Sequence, residues 1–155
     1  MSIRFEDTIV ALATAQGISA IAVVRLSGTH AIDIAQKCFP GKNLEEQPSH
    51  TLHFGNFYHD ERIIDEVLVS VFRAPNSFTK ENAVEISCHG SPFIVKEIIK
   101  ALLHAGARLA QPGEFTKRAF LQGRFDLAQA EAVADLINAE TDNARQAALN
   151  QMPGG

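Results

Sequence analysis

The sequence predicts an α+β fold, a mixed, largely antiparallel sheet with two packed helices. Three observations lead there. Strand-like and helix-like segments mix without strict alternation, which disfavours a doubly wound parallel sheet. Residues 50–58 and 63–73 read as strands separated only by His59, Asp60, Glu61 and Arg62, which suits a hairpin. Hydrophobic residues make up 46% of the 155, enough for a core without disulfides.

The elements follow in order. Residues 8–14 are a short apolar run and a first strand. Residues 20–26 form a second, β-branched and apolar until Arg25. Ser27-Gly28-Thr29 is expected to open a helix through about Phe39, with Ala31, Ile34, Ala35 and Cys38 on one face. Residues 40–49 are a polar, breaker-rich loop. The hairpin follows, then a loop over 74–82 containing Pro75 and Asn76, then a strand over 83–88. Ser91-Pro92 is a strong helix start, a capping hydroxyl followed by proline at the first helical position. That helix should reach about His104 with Ile94, Ile98, Ala101 and Leu102 inward. Gly106 ends it, and residues 107–110 return as a short strand. Pro112-Gly113 then turns into a helix carrying Phe115, Arg118 and Leu121, which Gly123 closes. Asp126 is placed as an N-cap with Gln129 three residues on. The last helix, 126–151, is longer than a small sheet domain needs, so the chain is expected to be part of a longer protein.

The bulk numbers exclude some functions. A net charge of −4 argues against an autonomous nucleic-acid grip, which needs clustered lysine and arginine. Cys38 and Cys88 lie fifty residues apart and fit no zinc spacing, so both are expected to be reduced and buried. No apolar run reaches membrane-spanning length, and the N-terminus lacks the apolar stretch of a signal peptide; a cytoplasmic location is the default expectation. There is no phosphate-binding GxxxxGK[ST], no GxGxxG, no HExxH and no nucleophile elbow. Catalysis within these residues is not indicated.

Three charged residues stand out. Arg25 shares a strand face with Ile21 and Val23; it either snorkels to solvent or offers a planar donor fork to a carboxylate. Glu85 shares a face with Ala83 and Ser87, opposite Val84, Ile86 and Cys88. It is either a solvated strand residue or a carboxylate able to accept two parallel hydrogen bonds from an amidine-like edge. Arg124 follows Gly123 in a turn, where a cation is either solvated or able to reach across a cleft or a subunit boundary. Cys88-His89-Gly90-Ser91 is a strand-to-helix turn, structural or anion-binding.

The literal residues go further. Asp7-Thr8-Ile9-Val10-Ala11 with Ala13-Thr14, then Val24-Arg25-Leu26-Ser27-Gly28, then Pro75-Asn76-Ser77-Phe78-Thr79 with Glu81 and Glu85, then His89-Gly90, Pro112-Gly113-Glu114-Phe115 and Asp126-Leu127-Ala128-Gln129-Ala130-Glu131 occur in an order that resembles the bacterial tRNA-modification GTPase family MnmE (TrmE). The resemblance implies a folate-binding and dimerisation domain over 1–118, similar to the fold of the glycine-cleavage aminomethyltransferase, and the beginning of a helical domain over 119–155. It implies 5-formyltetrahydrofolate or a related reduced folate as ligand, with contacts carried over by position to Arg25, Glu85 and Arg124. It implies a cytoplasmic homodimer whose full-length form works with the flavoprotein MnmG (GidA) on carbon 5 of the wobble uridine of tRNA. GTP, magnesium and potassium belong to the family's GTPase domain. Residues 1–155 contain neither that domain nor the family's C-terminal cysteine motif, so this stretch is expected not to hydrolyse GTP. The sequence departs from the family at Lys80-Glu81-Asn82, where Gly-Glu-Asp is usual, at Ser91, in the loop over 15–20, and at Arg124, where lysine is frequent. Two other functions compete: a structural dimerisation module without folate, and a stand-alone folate-dependent one-carbon transferase.

Overall fold

The computed structural model describes residues 7–123 and five helical positions beyond them, 128, 129, 131, 132 and 135. Strands β1 (Ile9–Leu12) and β2 (Ile21–Ser27) precede helix α1 (Ala31–Cys38). Strands β3 (Thr51–His59), β4 (Arg62–Phe72) and β5 (Ala83–His89) lead into α2 (Pro92–His104), β6 (Arg108–Leu109) and α3 (Glu114–Leu121). The six strands make one sheet in the order β3-β4-β5-β2-β1-β6. Every neighbouring pair is antiparallel except β1 with β6. The α+β class and the mixed sheet are thus as the sequence predicts. The expected helix over 126–151, including Asp126 as its cap, lies largely outside the described residues.

Alternation sorts the sheet into two faces. Ala22, Val24 and Leu26 of β2, Val67, Val69 and Val71 of β4, and Val84, Ile86 and Cys88 of β5 are all buried. They meet Ile34, Ala35 and Cys38 of α1 and Val95, Ile98, Ala101 and Leu102 of α2 in one core. The opposite face carries Arg25 and Glu85. Toward the β3 edge it carries exposed Leu52, Phe54 and Leu68, with Phe54 directly across from Leu68.

Three local expectations are corrected. Helix α1 starts at Ala31, not at Ser27-Gly28-Thr29, because Ser27 is the buried last residue of β2. The amide of His30, the residue before α1, donates to Thr8 Oγ1 at 3.2 Å, which ties the entry of the helix to the residue before β1. The polar loop after α1 contains a 3-10 turn, Leu44–Glu46, anchored by buried Leu44. Gln36 holds that loop by donating to the Phe39 and Lys42 carbonyls and accepting from the Leu44 amide. The hairpin is tighter than expected. His59 pairs with Arg62, leaving only Asp60 and Glu61 in the turn, and Asp60 takes φ 56°. The Ser91-Pro92 start of α2 is observed, Ser91 Oγ accepting from the Ile94 amide.

Candidate ligand site

Register brings Arg25 of β2 directly opposite Glu85 of β5, sixty residues later. The Arg25 fork donates through Nε and Nη2 to Glu85 Oε2 at 3.0 and 2.8 Å. Both bonds end on Oε2; among the described residues none is made to Oε1. Each side chain is roughly a third exposed. Helix α3 crosses this face and sets the Phe115 ring 5.7 Å from the Arg25 guanidinium, within cation–π range. The arginine is therefore held from both sides, by a carboxylate and by a ring.

The loop after β4 closes over the pair. It is secured by Asn82, whose Oδ1 accepts from the Ala74 amide at 2.8 Å, and by Ser77, whose hydroxyl donates to the Glu81 carbonyl. Buried Thr79 shares a hydrogen bond with Ser27 Oγ at 2.5 Å, and Ser27 also donates to Glu81 Oε1 at 2.9 Å. The result is a cavity of about 180 Å³ with Arg25, Ser27, Thr79 and Glu85 as its polar wall and Phe72 and Phe78 as its apolar wall. The sequence singles out Arg25 and Glu85. It gives no separate role to Ser27, Thr79, Phe72 and Phe78, and only the Ser77-Phe78-Thr79 string hinted at them. Arg124, the third expected contact, lies outside the described residues.

Beneath this cavity is an ionic cluster. Arg118 of α3 is 1% exposed. It donates to Asp7 Oδ1 at 2.6 Å, to the Asp7 carbonyl at 3.0 Å and to both oxygens of buried Glu81 at 3.3 Å. Arg108 bridges Asp7 and Glu114, each at 2.6 Å. Its hydrogen bond is the main reason the Glu114 carboxyl is held below the ordinary glutamate range, with the Gln111 amide helping. Asp7 is lowered chiefly by the same guanidinium. The cluster fixes α3, and with it Phe115, against the start of β1.

Other groups have structural assignments. Cys38 and Cys88 are free and buried, and burial pushes both thiols up to about 11, far from nucleophilic thiolates. Gly90 in the strand-to-helix turn packs against the loop before β2, exchanging backbone hydrogen bonds with Ser19 and Ala20. A Cβ there would lie 2.0 Å from the Ser19 carbonyl oxygen. Among the described residues there is no group of three or more His, Cys, Asp or Glu able to hold a metal ion, and no helix long and apolar enough to cross a membrane.

Known proteins align with this architecture. The family described as GTP-binding protein TrmE N-terminus matches residues 8–124. The chain is 63% identical over 149 residues to the tRNA modification GTPase MnmE of Cytophaga hutchinsonii, covering 96% of this chain and 32% of that protein. It is 57% identical over 148 residues to the enzyme of the same name from Lactococcus lactis subsp. cremoris, covering 96% and 32%. It is 57% identical over 155 residues to that of Streptococcus thermophilus, covering 99% and 34%. The chain spans about a third of the length of these curated relatives. The match across nearly all of the sheet domain, at more than half identity, means that this chain belongs to the TrmE N-terminus family of tRNA-modification GTPases.

Proposed function

We propose that this chain is the reduced-folate-binding and dimerising part of a tRNA-modification GTPase. The observation that carries the proposal is the Arg25–Glu85 pair at the wall of a small polar cavity with aromatic sides. A pterin edge presents adjacent N–H donors, and a carboxylate accepts two of them in parallel. Glu85 has Oε1 outside its pair with Arg25, and Arg25 keeps the carboxylate oriented and compensated. Phe72 and Phe78 offer flat apolar contact for the ring. Arg124 adds positive charge on the strength of the family resemblance. The folate-binding unit, over 1–118, takes the aminomethyltransferase-like form, and 119–155 begins the helical domain.

In the whole protein, this unit would deliver a bound formyl-tetrahydrofolate to chemistry at carbon 5 of the wobble uridine, with the flavoprotein MnmG as partner. GTP, magnesium and potassium would serve a GTPase domain beyond these residues. Dimerisation is supported by the exposed apolar strip of Leu52, Phe54 and Leu68 on the sheet face away from the helices.

Calorimetric titration with 5-formyltetrahydrofolate tests the site. A hydrogen bond to a charged group contributes about 1.5–3 kcal/mol, so Glu85→Gln should weaken binding roughly tenfold or more. Arg25→Ala should also weaken it, and Arg124→Lys should cost less than Arg124→Ala because charge is retained. Equal affinities in all variants would reject the assigned site. A dimeric wild type that binds no reduced folate would favour the purely structural role.

A further inference from the structure

The Arg25–Glu85 cavity, at about 180 Å³, is too small for a complete folate, since pockets for molecules of that size run to roughly 300–1,000 Å³. It does not stand alone. Phe72 and Phe78, which form its apolar wall, also line a second cleft of about 620 Å³. His50, Pro75 and Lys80 complete that cleft, and none of its lining residues is a carboxylate. Its charge is therefore positive and comes from Lys80. The other cation nearby, Arg73, is committed: its guanidinium donates to the carbonyls of Leu44, Glu45 and Gln47. Among the described residues no carboxylate pairs with Lys80.

The backbone carries a second observation. Lys80 takes φ 62° and His50 φ 64°, in the left-handed region that glycine occupies without strain. Of the three side-chain-bearing residues with such angles among the described residues, these two line the same cleft and Asp60 sits in the β3–β4 turn. Strained conformations of this kind concentrate at binding sites. At position 80 the local backbone favours glycine, yet a lysine is present and lines the cleft.

Resting on the reduced-folate reading of the first cavity, we infer that the second cleft takes the tail of the same ligand. The aryl-amide segment passes between Phe72 and Phe78, and the glutamyl carboxylates meet Lys80. Lys80 then makes the site selective for chain length, because each added glutamate adds an anion within reach of a cation that no protein carboxylate neutralises.

The experiment compares three ligands on the 155-residue chain: a 5-formyltetrahydropterin without a tail, 5-formyltetrahydrofolate with one glutamate, and its triglutamate. Each is titrated against wild type, Lys80→Gly and Lys80→Arg. In wild type, affinity should rise from the tail-free ring to the triglutamate, the last step being about fivefold and shrinking as salt increases. Lys80→Gly, whose backbone is relieved rather than strained, should bind the tail-free ring as wild type does and lose the gain from added glutamates. Lys80→Arg should keep it. A Lys80→Gly protein that retains the full gain overturns the inference, and so does a wild type that binds all three ligands equally. Failure of all three to bind wild type overturns the ring assignment and this inference with it. Binding without dependence on tail length overturns this inference alone.

Discussion

Arg118 has more invested in it than any other charged residue of the fold. A guanidinium this deeply buried is tolerated only because carboxylates surround it; removing one partner of such a pair leaves an uncompensated charge and costs about 3–5 kcal/mol. Arg118→Met should therefore lower the unfolding free energy measured by urea titration by that order, with Glu81 stranded beside Ser27 and Thr79. Combining it with Glu81→Gln should recover part of the loss, which a double-mutant cycle would measure. A purely additive cycle would mean that the two side chains do not act together. Little of this was legible in the sequence. Arg118 there is one cation on a short helix with Glu114 a turn before it, and its buried partner Glu81 and its closest partner Asp7 lie 37 and 111 positions away. Arg25 and Glu85 were partly legible, because alternation put each on the less apolar face of its strand. That they face each other is a matter of strand register, and local spacing carries no register between β2 and β5.

At the scale of elements, the turn between β5 and α2 is a close backbone junction. The close approach of Gly90 to Ser19 lets the loop before β2 lie flat against the start of α2. Gly90→Ala forces a Cβ into backbone, and the expected outcome is destabilisation of about 1–3 kcal/mol, read from thermal or urea unfolding. An unchanged midpoint would show that the loop moves aside without cost. Most elements could be read from the chain: β2, β5 and α2 follow their apolar periods, and Ser91-Pro92 announces α2. The start of α1 could not, since Ser27 is taken up as the last residue of β2 and the His30 amide is held by the hydroxyl of Thr8, more than twenty residues upstream. The 3-10 turn at Leu44–Glu46 was equally hidden. Its polar composition looks like a loop, and the order comes from Gln36 and Arg73 reaching into it.

For the whole molecule, acid should be the sensitive direction. Glu114 and Asp7 have folded-state values held below their ordinary 4.5 and 3.8, Arg108 being the largest cause in both. A carboxyl lowered on folding stabilises the protein fully above its unfolded value and loses that contribution as pH falls through its folded one. The contribution of these two carboxyls should be flat from neutrality down to about pH 5 and then decline. Glu114→Gln should be less stable than wild type near neutrality and show a shallower decline, in urea titrations at several pH values. A variant that declines as steeply as wild type would exclude Glu114 as a source. The apolar strip at the β3 edge gives a second prediction at this scale. At ~50 µM the chain should sediment as a dimer if its dissociation constant is near ~1 µM, equivalent to roughly −8 kcal/mol. Phe54→Asp should shift it toward monomer while leaving its unfolding cooperative. A wild-type monomer at that concentration would count against the dimer.

The sheet is completed by its two ends. Strand β1 lies between β2 and β6, and its Ile9 pairs in parallel with Arg108. Arg118 then grips Asp7 across 111 residues. A nascent chain emerging at about 5–20 residues per second would wait roughly 6–20 s between the appearance of Asp7 and that of its partner. For most of that interval the outer edge of β1 has no neighbour, and from its own appearance to that of Arg118, 37 residues later, Glu81 lacks this counter-charge. Closure of this domain on the ribosome is consequently a late event, set by the rate of translation rather than by any local propensity, and contacts of such long sequence separation also make refolding of the finished chain slow.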